Sequence, residues 1–135
     1  MVAQALFVVG AAVLGLLGAL HLAFTFFTPN FEARNPATSA AMRADHPRLT
    51  RRTSLWDAWV GFNASHSLGI IAFALVYGYL ALWRADVLGG SLFLLSLGMA
   101  VLLAYLALAR RYFFSVPFRG VALACALYAS GWVLS

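Results

Sequence analysis

The chain has no lysine, one cysteine and four acidic residues, and only 10% of its 135 positions are charged. Soluble domains carry about 25% charged residues, so too little polar side chain is present to cover a water-soluble domain of this size. An ordinary cytosolic enzyme is excluded, and so is a disordered tail, which needs low hydrophobicity. A lone cysteine, Cys125, permits no intrachain disulfide and no thiolate pair, which excludes a secreted disulfide scaffold. It lies in an apolar run and reads as a small packing residue. No phosphate-cradling glycine loop, no CxxC and no carboxylate deep within an apolar run occurs, and no internal repeat stands out.

In place of these the chain has 64% hydrophobic residues and a mean hydropathy of +0.89. Four nearly uncharged stretches, about 3–27, 55–83, 87–109 and 117–135, each supply about the 20 residues that carry a helix across a bilayer. The expected fold is all-α: one transmembrane domain over 1–135, a four-helix bundle with a long cytoplasmic loop between helices 1 and 2. The first stretch lacks the basic start of a signal peptide and is too long for one. Pro117 suits the first turn of the last helix.

All nine basic residues are arginines. With abundant Ala, Gly and Leu, that choice suits a GC-rich bacterial genome. The arginines gather at the ends of the apolar runs, not on one soluble face with stacking aromatics, so nucleic acid is not an expected partner. Arg34, Arg43, Arg48, Arg51 and Arg52 lie between spans one and two, and Arg110, Arg111 and Arg119 at the junction of spans three and four. Only Arg84 lies on the other side. That asymmetry places both Arg-rich connections in the cytoplasm and both termini on the non-cytoplasmic side of a bacterial inner membrane. Trp56, Trp59 and Tyr112 to Phe114 fit the inner aromatic belt, and Trp83 and Trp132 the outer one.

In the first connection, Asn35-Pro36 reads as an N-cap and first helical position of a short helix reaching about Ala44, a lid or spacer. Ser54 and Asp57 have capping-box spacing, which makes Asp57 a helix cap. Arg48, Arg51 and Arg52 can hold an anionic lipid headgroup, although such groups more often only fix topology.

Polar residues inside spans must face other helices or a cavity, because acyl chains offer them no partner. Ala11, Gly15, Gly18, His21 and Thr25 form one stripe on span one; Trp59, Asn63, His66 and Ile70 form another on span two, with Ser67 beside it. Ser91, Gly98 and Tyr105 line up on span three. At 1.5 Å per residue, His21 lies roughly 10 Å and His66 roughly 18 Å from the loop side. The candidate ligand site is therefore His21, Asn63, His66 and Tyr105, open toward the cytoplasmic leaflet. Asn63, one turn before His66, is placed to orient its ring. The plainer reading has His21 bonded to a neighbouring helix and Thr25 bonded back to the carbonyl four residues earlier.

A neutral imidazole can ligate a metal or hydrogen-bond a carbonyl ligand. Two axial imidazoles can hold haem b, but the depth difference of roughly 8 Å opposes that pairing. Zinc needs three protein ligands, and no third stands beside the two histidines, so no metal site is expected. No cofactor is assigned.

Around Gly18-Ala-Leu-His21-Leu, Arg51-Arg-Thr-Ser-Leu-Trp56, Gly61-Phe-Asn-Ala-Ser-His66-Ser-Leu-Gly69 and Arg111-Tyr-Phe-Phe-Ser-Val-Pro117, the chain resembles a set of small bacterial four-span membrane proteins. The resemblance spans nearly the whole chain, is most specific at Asn63 and His66, and implies four spans without implying an activity. Two functions stand open. The leading expectation is a non-catalytic accessory subunit, associating in the bilayer with other membrane subunits or with itself. The other is a membrane-embedded binding protein or enzyme for a lipophilic ligand (a quinone, lipid or isoprenoid), with His66 and Asn63 on its polar end and His21 opposite.

Overall fold

The computed structural model describes residues 1–135 and contains six α-helices and no strand. α1 runs over Val2–Phe27, α2 over Pro36–Ala44, α3 over Leu55–Trp83, α4 over Ala85–Gly89, α5 over Leu92–Tyr112 and α6 over Ser115–Val133. A 3-10 turn, Pro29–Phe31, follows α1. α1, α3, α5 and α6 are long and apolar enough to cross a membrane. With 26 and 29 residues, α1 and α3 measure about 39 and 43 Å at 1.5 Å per residue.

The helix boundaries follow local chemistry. α1 holds neither proline nor charge and stops where Thr28 caps the 3-10 turn, with Pro29 in its first position. The Asn35 side chain accepts from the Ala37 amide, and α2 begins at Pro36 as its sequence requires. α3 opens on the expected capping box: the Ser54 hydroxyl oxygen accepts from Asp57 N at 3.0 Å, and the Asp57 carboxylate faces Ser54 N at 3.4 Å. The third span departs from the expected 87–109. Gly89 and Gly90 end the short α4, and the Ser91 hydroxyl accepts from Leu94 N, which starts α5 at Leu92. Ser91 is thus a cap, not a member of a polar stripe with Gly98 and Tyr105. α6 starts two residues before Pro117, which sits within the first turn.

The chain divides into two compact units, residues 1–17 with 70–135, and residues 18–69. In the first unit the helical segments pack around Phe7, Leu14, Tyr77, Leu95, Leu102, Ala124 and Tyr128. Small residues set the close approaches there. A Cβ at Gly15 would stand 3.3 Å from the Ala74 Cβ, and one at Gly10 3.5 Å from the Ala124 carbonyl oxygen. Close backbone approach is the usual way helices gain dispersion energy in lipid.

The polar centre of this unit is a pair of phenols. Tyr77 donates to the Leu94 carbonyl at 2.9 Å, and Tyr128 donates to the Leu95 carbonyl at 3.2 Å. Both rings reach α5 because Gly98 presents no side chain: an added Cβ would overlap the Tyr128 hydroxyl and lie 2.7 Å from the Tyr77 ring. Phe7 meets Tyr128 edge to face at 4.9 Å. Cys125 is buried in the same core, in keeping with a packing role.

Candidate functional site

The second unit holds the end of α1, the 3-10 turn, α2, the following loop and the start of α3. Three of the four residues singled out from sequence meet in it. His21 Nε2 lies 2.9 Å from Asn63 Oδ1, and the His21 and His66 rings stand edge to face at 5.3 Å. Tyr105 lies on α5 and packs against the core of the first unit.

The two imidazoles meet despite their different distances from the helix ends. Each Cα–Cβ bond tilts toward the N-terminus of its own helix. α1 runs into the 28–54 connection and α3 runs out of it, so His21 leans away from the connection while His66 leans toward it. The offset of roughly 8 Å counted along the axes thereby closes to ring contact. That contact leaves no gap for a porphyrin plane between two axial nitrogens, so the pair as arranged does not suit haem.

Asn63 connects this cluster to the loop side. Its Nδ2 donates to the Trp59 carbonyl at 2.8 Å, which leaves Oδ1 for His21. An amide oxygen only accepts, so His21 donates to it from Nε2. Where sequence pairs Asn63 with the ring of His66, the amide is turned to His21 and Trp59. Thr25 bonds back to the His21 carbonyl at 2.8 Å, as its position suggests, and the fully buried Ser67 does the same to Asn63 at 2.9 Å.

Sequence reasoning did not find Phe31. Its ring covers His21 at a centroid distance of 4.6 Å. The turn that carries it is fixed at both ends: the Thr28 hydroxyl oxygen accepts from Asn30 N, and the Trp59 indole N–H donates to the Phe31 carbonyl at 3.2 Å. The next residue, Glu32, pairs with Arg43 of α2 at 3.2 Å, and the Arg43 guanidinium lies 4.0 Å over the Trp56 ring. α2 is also held by Ser39, whose hydroxyl accepts from Ala33 N at 3.2 Å. The legible signals were Trp56 and Trp59 three apart on one helical face, and Glu32 as the first acid of the chain.

Beside these groups lies an open pocket of about 280 Å³. Phe26, Phe31, Trp56, Trp59 and Val60 form its apolar wall, and Thr25, Thr28, Asn63 and the Glu32–Arg43 pair are its polar groups. Ligand pockets usually measure about 300–1,000 Å³ and combine an apolar lining with a few convergent polar groups; this one lies just under that range and is lined equally by apolar and polar residues. Arg48, Arg51 and Arg52 do not line it and lie exposed on the loop before α3.

Compared with protein families, curated proteins and solved structures, the chain matches none. Function is accordingly read from geometry alone.

Proposed function

We propose that this chain is a multi-pass protein of the bacterial cytoplasmic membrane, a four-helix transmembrane bundle whose pocket in residues 18–69 binds the polar end of a lipophilic molecule. The observation that carries the reading is the aromatic-walled pocket of about 280 Å³ with Thr25 and Asn63 among its lining groups. Its charge state narrows the ligand. Arg43, the one cation lining the pocket, is already matched by Glu32 and lies over Trp56. The pocket therefore holds no uncompensated charge, which suits a neutral quinone or prenol head better than an anionic one. Binding is proposed, not turnover: Asn63 lines the pocket and is bonded to His21, while His21 and His66 themselves lie outside the lining.

Mild-detergent extraction from the native host, followed by mass spectrometry of the lipid fraction, tests the reading. A neutral isoprenoid or quinone retained near one per chain supports it, and only bulk phospholipid in bulk proportions opposes it. The Arg distribution supports the topology, with the 28–54 connection in the cytoplasm and both termini outside. A membrane-impermeant thiol reagent applied from outside should label Gly89→Cys and spare Leu49→Cys, each in a Cys125→Ala background.

A second reading, an accessory subunit bound to other membrane subunits or to itself, is favoured by the outer face of α3. Gly61, Ser65 and Gly69 follow at four-residue intervals and all face outward, and a Cβ at Gly61 would meet nothing within 4 Å. Small residues in this spacing allow a second helix to approach closely. Gly61→Leu should abolish co-purification of a partner and leave lipid retention intact.

A further inference from the structure

We propose that the loop between α2 and α3, residues 45–54, is a binding site for anionic phospholipid head groups, with Arg48, Arg51 and Arg52 taking the phosphate and Leu49 entering the acyl boundary. The loop is a closed structure. The Asp45 carbonyl accepts from Leu55 N at 2.9 Å, the His46 ring Nδ1–H donates to the Thr53 carbonyl at 2.9 Å, and Thr50 N donates to the Pro47 carbonyl at 3.1 Å. These bonds tie the ends together and turn the middle outward, so Arg48, Leu49, Arg51 and Arg52 are all exposed.

Positive charge is in excess at the tip. Arg43 and Arg84 have acidic partners, whereas none of these three arginines is in an ion pair. The two acids on this stretch form no ion pair with them: Asp45 accepts from His46 N at 2.7 Å and Asp57 from the Ser54 hydroxyl, and with Asp45 counted the loop still carries a net positive charge. Amid the three cations sits Leu49, 94% exposed. An exposed leucine flanked in sequence by exposed arginines is matched to an interface, where acyl chains take the leucine and phosphates the arginines. The closing bond lands on Leu55, the first residue of a helix long enough to cross a membrane. That anchors the cations beside the point where α3 begins, the position at which basic clusters read anionic lipid. The pocket, with its neutralised Arg43, and the loop thus select different head groups.

The full chain in mixed micelles, offered equal phosphatidylglycerol and phosphatidylcholine and read by native mass spectrometry, tests this. Bound lipid should be enriched in phosphatidylglycerol, and the triple variant Arg48→Gln, Arg51→Gln, Arg52→Gln should lose about tenfold or more of that preference. Arg84→Gln should keep it, and melting of the triple variant should match the parent because all three side chains are exposed. No preference in the parent, an undiminished preference in the triple variant, or displacement of the lipid by millimolar inorganic phosphate would each overturn the proposal.

Discussion

Asn63 fixes the tautomer of His21. Its nitrogen is committed to the Trp59 carbonyl at 2.8 Å, its oxygen faces His21 Nε2 at 2.9 Å, and the imidazole must donate there. The interaction crosses between α1 and α3 and holds Asn63, one of the residues lining the pocket. A double-mutant cycle with His21→Leu and Asn63→Leu, read by unfolding in detergent, should give a coupling of about 0.6 kcal/mol and no more than about 1.7, the range for hydrogen bonds between membrane helices. Zero coupling would remove the bond from the description.

Trp59 pins the turn that carries Phe31. Trp59→Phe keeps the ring and deletes the indole donor that reaches the Phe31 carbonyl. The expected stability loss is about 0.5–1.5 kcal/mol. Hydrogen exchange should speed up across residues 28–33 and stay unchanged in α6. A uniform change along the chain would show that the bond does not act locally.

Gly98 is where the first unit tolerates no side chain. Gly98→Ala places a methyl group against Tyr128 and Tyr77, and such overpacking costs about 1–3 kcal/mol. Tyr128→Phe, which removes only a hydroxyl bonded to the Leu95 carbonyl, should cost about 1 kcal/mol. The melting temperature in detergent should therefore fall further for the glycine variant.

Ser54 starts α3 through its capping box. Ser54→Ala should cost about 1 kcal/mol, and Ser65→Ala, a hydroxyl bonded back within its own helix, considerably less. Equal losses would argue against a specific cap.

Much of this was legible in the residues, and the pattern of what was not has a physical cause. Apolar runs too long for a soluble helix gave four spans, and Asn35-Pro36 and Ser54-Asp57 gave two helix starts, because caps are local chemistry. Ser91 was misplaced into a stripe since a hydroxyl at a helix start and one on a helix face look alike until the Gly89-Gly90 break is seen. The meeting of His21, Asn63 and His66 was expected from their stripes. Axial counting nevertheless kept the two rings apart, because it ignores the lean of side chains toward their own N-termini. Phe31 was invisible: it lies in a connection, and its position depends on an indole donor 28 residues away.

Photolabelling tests the ligand-binding claim most directly. A neutral prenyl probe carrying a diazirine at its polar end, added to the full chain in bilayers and mapped by peptide mass spectrometry, should label residues 25–31 and 56–63. Unlabelled quinone or prenol should suppress it competitively. Labelling confined to outward-facing residues such as Leu92, Phe93, Leu97 and Leu103, or spread evenly over all four long helices and insensitive to competitor, would contradict it and leave the aromatic pocket as packing.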